Sequence, residues 1–240
     1  MKMHLPNALT CANLFSGCIA AVMIFRNHLE YTAYFIFLSA FFDLLDGMVA
    51  RKVASNTEYG KQLDSLADMV SFGFVPGAVV FKLLQMSDLN SILHSEMLFQ
   101  IIQFAPFIIT VFSALRLVKF NLDKRQSTSF IGLPTPANTL LIVSLPLILS
   151  QFPGKYEWLI LNPYLLLAIT IVCSYMLIAE IPLFAMKFKT TALRDNIYQY
   201  IFLAIALILF PFFLFAAIPV LIFLYIFLSI IQNSSKAKTT

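Results

Sequence analysis

At 240 residues, with 60% hydrophobic residues and a mean hydropathy of +0.86, the chain is far more apolar than an average soluble domain. Its formal net charge of +4 comes from cations scattered in short segments between apolar runs, with no long basic stripe, which argues against nucleic acid as a partner. Runs of about 18–20 apolar residues are long enough to cross a bilayer as helix, so the class is an all-α polytopic membrane bundle forming one domain over residues 1–240.

Eight spans are predicted in chain order, near 8–26, 31–49, 62–85, 97–120, 135–152, 163–186, 197–212 and 214–231. The first carries a lone Lys2 and no small-residue cleavage site ahead of it, so it is expected to be retained. Pro211 leaves the last two open between a tight hairpin and one broken element. With eight spans, Arg26, Lys82 and Lys155 fall on one side of the membrane and the other thirteen of the sixteen Lys and Arg on the opposite side, with both termini. That bias assigns the termini to the cytoplasm and the protein to the inner, cytoplasmic membrane. Trp158, Tyr156 and Tyr164 lie on the far side, as an aromatic belt would. Cys11, Cys18 and Cys173 show no metal or redox spacing and are expected to be small buried residues.

The polar residues of spans two and three break this apolar pattern. Asp43 and Asp46, three apart, share a helix face with Gly47 and Ala50, and Arg51 follows. Gly60, Asp64 and Asp68, at i, i+4 and i+8, repeat the small-then-acidic stripe on the next span. The connection of about ten residues is short enough to bring the stripes together. Four converging carboxylates repel one another unless cations neutralise them. An oxygen-only donor set favours hard ions such as Mg²⁺, Mn²⁺ or Ca²⁺, and four carboxylates are enough for two. A pair of such ions suits phosphoryl chemistry, one carboxylate can take a proton from an attacking hydroxyl, and Arg51 can fork onto phosphate. Carboxylates inside a membrane also serve as ion pathways, so a cation transporter is the alternative of a different class. Glu180 is the only other acid expected well inside a span, which weakens that alternative; it is expected to pair with a cation in the bundle, to approach a substrate ammonium, or to be a buried hydrogen-bonding group near the Pro182 kink.

The order Asp43-x-x-Asp46-Gly47-x-x-Ala50-Arg51, eight residues, Gly60-x-x-x-Asp64-x-x-x-Asp68 resembles the signature of the CDP-alcohol phosphatidyltransferase family at all eight positions. That resemblance implies a membrane enzyme with a cytidine-nucleotide lipid donor and release of CMP. It implies that Asp43, Asp46, Asp64 and Asp68 hold two divalent cations, Mg²⁺ or Mn²⁺, with Asp68 also the general base. It further implies that Asn7, Thr10, Asp46, Gly47, Ala50, Arg51 and Gly60 bind the CDP-lipid, Asn7 and Thr10 belonging to a family opening at Pro6–Thr10.

Three further runs are similar to the branch that uses L-serine as acceptor and CDP-diacylglycerol as donor: Asp64–Gly73, Ala114–Asn121 and Phe130–Ala137. The catalytic hairpin is then 31–85 and the acceptor region 113–138. Free serine needs a cation for its carboxylate and acceptors for its ammonium. Arg116 and Lys119, on one helix face, and the turn with Gly132, Pro134 and Thr135 are the candidate serine-binding residues, with Gln126–Ser129 between them. Glycerol 3-phosphate and inositol phosphate stay open as alternative acceptors. Gly73 and Gly77 have the GxxxG spacing that lets helices approach closely, inside the bundle or in a homodimer.

Overall fold

The computed structural model describes residues 5–52, 57–89, 95–123, 129–184 and 196–237. Two helices, α1 (Leu5–Phe25) and α2 (Leu29–Lys52), form an antiparallel hairpin. At 21 and 24 residues each is about as long as a bilayer's hydrocarbon core is thick. The turn between them passes through Asn27 at φ +61°, a left-handed conformation that Asn adopts more readily than most residues. Near that turn the Thr32 hydroxyl donates to the Ala20 carbonyl at 3.2 Å.

The third span is α3 (Glu58–Asp68), a π-helical stretch (Met69–Phe74) and α4 (Val75–Met86). It is the hub of the bundle: 61% of its apolar window is buried, against 6% for Ile197–Asn233. The π-helical stretch has a local cause and a local remedy. Pro76 has no N–H to give the Phe72 carbonyl four residues back. The Thr139 hydroxyl donates to that carbonyl instead, at 3.0 Å, and the Thr110 hydroxyl donates to the neighbouring Gly73 carbonyl at 3.0 Å. In lipid, where water cannot serve backbone groups, such side-chain donors make an irregular helix tolerable.

Next come α5 (Glu96–Ile102) and α6 (Phe107–Leu122), separated at Pro106, then strand β1 (Ser129–Ile131) and α7 (Thr135–Gln151). The short α8 (Glu157–Ile160) precedes α9 (Pro163–Ile178), followed by strand β2 (Pro182–Phe184). Last come α10 (Ile197–Phe213), a 3₁₀ turn (Leu214–Ala216) and α11 (Ala217–Ala237). The GxxxG pair is used inside the bundle. A Cβ on Gly77 would lie 2.6 Å from Thr110 Oγ1 and 3.2 Å from the Pro106 carbonyl, and one on Gly73 would press on Met69 and Ser113.

Among the described residues, five helical stretches are long and apolar enough to cross a membrane, and α7 and α9 are shorter apolar helices. The stretch Ile197–Asn233 is folded back at Leu214, where φ is +45°. Phe202 and Tyr225 would be about 35 Å apart along a straight helix, yet their ring centroids are 6.1 Å apart. The tight hairpin is therefore the correct reading of the Pro211 ambiguity.

Three expectations need correction. The span expected at 163–186 ends at Ile178, and the chain then enters a two-stranded antiparallel ribbon, β1 with β2, in which Phe130 faces Leu183. Glu180 is consequently outside the helix, its side chain 68% exposed and paired with Lys119 at 3.0 Å. Cys11 and Cys18 face outward and only Cys173 is buried. In a membrane bundle the outer surface is as apolar as the core, so an apolar cysteine has no reason to turn inward.

Candidate active site

The two small-then-acidic stripes meet at one end of the bundle. α3 starts there because Thr57 caps it, its hydroxyl accepting from the Gly60 amide at 3.0 Å. α3 is also tied to the end of α6: Lys61 Nζ donates to the Asn121 carbonyl at 3.0 Å, and the Asn121 amide donates to Ser65 Oγ at 2.7 Å. These ties hold α3 in place, and its Asp64 and Asp68 converge with Asp43 of α2.

Carboxylate oxygens of Asp43, Asp64 and Asp68 lie within 4.8 Å of one another. Asp46 sits beside them, buried, accepting a hydrogen bond from Thr10 Oγ1 at 2.7 Å. Asp64 Oδ1 is buried with no hydrogen-bond partner among the described residues. A buried carboxylate oxygen without a donor costs free energy unless a cation meets it. This orphaned oxygen and the convergence of hard oxygen donors fit divalent cations bound to the cluster.

Beside the carboxylates opens a cleft of about 430 Å³. Asn7, Thr10, Asp46, Gly47, Ala50, Arg51 and Gly60, the whole expected CDP-lipid set, line it, with Thr57, Lys61 and Asp64. The glycines matter differently. A Cβ on Gly60 would stand 3.2 Å from both Asn7 Oδ1 and Thr57 Oγ1, whereas one on Gly47 would meet only Arg51, at 3.7 Å. Gly60 allows the N-terminus of α3 to approach α1, while Gly47 keeps the cleft floor low. The two cations Arg51 and Lys61 make the rim suited to a pyrophosphate.

The acceptor candidates separate. Arg116 is buried, 6% exposed, and Nη1 donates to Thr135 Oγ1 at 3.4 Å. Asp68 and Tyr225 lie within electrostatic reach of it. Its Nε has no hydrogen-bond partner among the described residues, so this guanidinium retains a donor for an incoming anion. Lys119 is engaged with Glu180 instead. Gly132, at φ +77°, serves through its backbone: its N–H donates to the Ile181 carbonyl at 2.9 Å and that of Leu133 to the Met176 carbonyl at 2.8 Å. The turn is thereby docked on the end of α9, and Pro134 leads into α7, where Thr135 is buried. Residues 126–128 of the expected acceptor stretch lie outside the described residues.

Several participants escaped the sequence reading. Asn13 is fully buried and its amide donates to Asp68 Oδ1 at 3.2 Å. Its signal was present: Asn7, Thr10, Asn13 and Ser16 recur every third residue in an otherwise apolar helix. Lys61 lies just ahead of the expected third span and belongs to no motif. Tyr225 lies far along the chain and carries no motif.

Residues 3–231 match the family described as CDP-alcohol phosphatidyltransferase. The chain is 28% identical over 178 residues to a CDP-diacylglycerol–serine O-phosphatidyltransferase of Bacillus subtilis, covering 74% of this chain and 88% of that one. It is 33% identical over 156 residues to the protein of the same name from Saccharomyces cerevisiae, covering 60% and 54%. It is 30% identical over 142 residues to an archaetidylserine synthase of Methanothermobacter thermautotrophicus, covering 58% and 56%.

Proposed function

Because the chain belongs to the CDP-alcohol phosphatidyltransferase family, we propose that it transfers the phosphatidyl group of CDP-diacylglycerol to L-serine, giving phosphatidylserine and CMP. The observation that carries the chemistry is the carboxylate triad at the inner end of a cleft rimmed by Arg51 and Lys61. The relatives' activities support the acceptor: they differ in the lipid and agree on serine.

The residues divide the work. Arg51 and Lys61 hold the pyrophosphate of the donor, and the small surface of Gly47 and Ala50 lets the nucleotide lie against backbone. Asp43, Asp46, Asp64 and Asp68 would hold two divalent cations, Mg²⁺ or Mn²⁺, which supply Lewis acidity to the phosphate oxygens when bound. Arg116 takes the serine carboxylate and so brings the hydroxyl beside Asp68. Asp68 accepts the hydroxyl proton as the serine oxygen forms its bond to the lipid-bearing phosphorus. The bond from that phosphorus to the CMP oxygen breaks, and CMP leaves through the cleft. Gly132, Pro134 and Thr135 act by holding Arg116 in place, and Lys119 is peripheral. The catalytic hairpin 31–85 and the acceptor region 113–138 are thus two halves of one site.

The reading includes eight passes with both termini and the site at the cytoplasmic face, where soluble serine and CMP exchange. The thirteen-to-three distribution of Lys and Arg supports it.

The test is a panel of acceptors with purified protein, CDP-diacylglycerol and Mg²⁺ or Mn²⁺. Labelled serine is expected to enter lipid with equimolar CMP. Incorporation of glycerol 3-phosphate or inositol phosphate with none of serine would overturn the acceptor assignment, and metal flux in proteoliposomes without CMP release would overturn the chemistry.

A further inference from the structure

Asn13 stands at the middle of a buried hydrogen-bonded chain that ends on Asp68. It is 0% exposed on α1, as is Ser39 on α2. The Asn13 side-chain amide donates to Asp68 Oδ1 at 3.2 Å, and its Oδ1 accepts from the Ser39 hydroxyl. The Asn13 main-chain carbonyl faces the hydroxyls of Ser39 and Ser71, each at 3.3 Å. One turn further along α1, a Cβ on Gly17 would overlap the Ser71 side chain, so α1 and the π-helical stretch touch here without slack.

The chemistry of these groups fixes their orientation. An ionised carboxylate only accepts, so the amide must turn its NH₂ toward Asp68 and its oxygen toward Ser39. A serine hydroxyl can donate to that oxygen, which locks the amide in the productive sense. Asp68 also lies where α3 passes into the π-helical stretch, a kind of irregularity frequent at functional sites. From this geometry we propose that Asn13, oriented by Ser39, is the positioning residue for Asp68. It holds Oδ1 so that the other oxygen is presented to the acceptor hydroxyl. Neither Asn13 nor Ser39 lines the donor cleft, so the pair acts on turnover and leaves donor binding alone. The inference rests on the reading of Asp68 as the base.

The experiment compares wild type with Asn13→Leu, Ser39→Ala, Ser39→Thr, the double variant Asn13→Leu/Ser39→Ala, and Asp68→Asn in detergent micelles. Steady-state kinetics are run for both substrates, alongside binding of CDP-diacylglycerol. Asn13→Leu is expected to lower kcat about 30- to 100-fold, with KM for serine and donor affinity within about twofold. Ser39→Ala is expected to lower kcat about fivefold, Ser39→Thr to restore it, and the double variant to be no worse than Asn13→Leu. If Asp68→Asn abolishes turnover while Asn13→Leu keeps kcat within twofold, the positioning role is wrong and the base reading stands. Additive losses in the double variant, or equal losses in turnover and donor affinity, also overturn it, because they describe a packing defect. Near-normal turnover of Asp68→Asn removes the base reading itself. Should Asn13→Leu fail to fold, Ser39→Ala decides, since removing one hydroxyl adds no atom to this buried site.

Discussion

Replacing Gly132 by alanine tests whether the acceptor half of the site depends on a backbone turn. The residue sits at φ +77°, where an L-residue with a Cβ loses about 1–2 kcal/mol. The added Cβ would lie 2.7 Å from the Leu177 carbonyl oxygen, 3.0 Å from that of Ala179 and 3.2 Å from that of Met176. All three are backbone atoms at the end of α9, so no side chain can swing aside. Relief requires the turn to lift, which weakens the hydrogen bonds from Gly132 N and Leu133 N, at about 0.5–1.5 kcal/mol each. The sum is about 2–5 kcal/mol against the docked turn. Lifting the turn moves Thr135, the residue to which Arg116 donates, and leaves the donor cleft on the far side of Asp68 untouched. Gly132→Ala is therefore expected to raise KM for serine at least tenfold while CDP-diacylglycerol affinity stays within about twofold, measured on the same preparation. A wild-type KM for serine in a folded variant would refute the argument that this turn carries the acceptor site.

Chelation followed by gel filtration should abolish turnover, and Mg²⁺ or Mn²⁺ should restore it; Asp64→Asn should raise the metal concentration needed for half-maximal activity by an order of magnitude or more, since it alters the orphaned oxygen. Arg116→Lys, which keeps the charge and loses the fork, is expected to raise KM for serine about 10- to 100-fold, whereas Lys119→Met should change it less than threefold, because the half-exposed Lys119–Glu180 pair is worth under about 1 kcal/mol. Thr139→Val leaves the Phe72 carbonyl without its hydroxyl donor at the Pro76 break and should destabilise the bundle by about 1–3 kcal/mol, read as a lower detergent-denaturation midpoint.

The acidic hairpin was legible because its information is local: helical periodicity alone puts Asp43 beside Gly47, and Asp64 beside Gly60 and Asp68. The residues that the family resemblance implies for the donor came from the motif and the Pro6–Thr10 opening, not from periodicity, and the structure places them around one cleft. What escaped the sequence depends on distant partners. Asn13 takes its meaning from Ser39 and Asp68, 26 and 55 residues away. The β1–β2 ribbon joins segments about fifty residues apart, so neither strand has a pattern of its own. Glu180 was misplaced because hydropathy carried span six through residue 186, while the helix stops at Ile178 ahead of Pro182. Lys119 and Arg116 look equivalent on a helical face, and only burial separates them.

The polar stripe of α1 also bears on how this protein is made. As the ribosome delivers the chain, α1 enters the membrane ahead of α2 and α3, carrying Thr10 and Asn13 before their partners on those helices exist. Thr10 waits for Asp46, and Asn13 for Ser39 and Asp68. The Thr10 hydroxyl can donate meanwhile to the Pro6 carbonyl of its own helix, at 3.1 Å, but the Asn13 amide gains Ser39 only with the second span and Asp68 only with the third. Arrival of the second and third spans thus completes both the hydrogen bonding of α1 and the carboxylate cluster. A variant that delays span three should expose α1 to quality-control proteolysis before it ever reaches a catalytic assay.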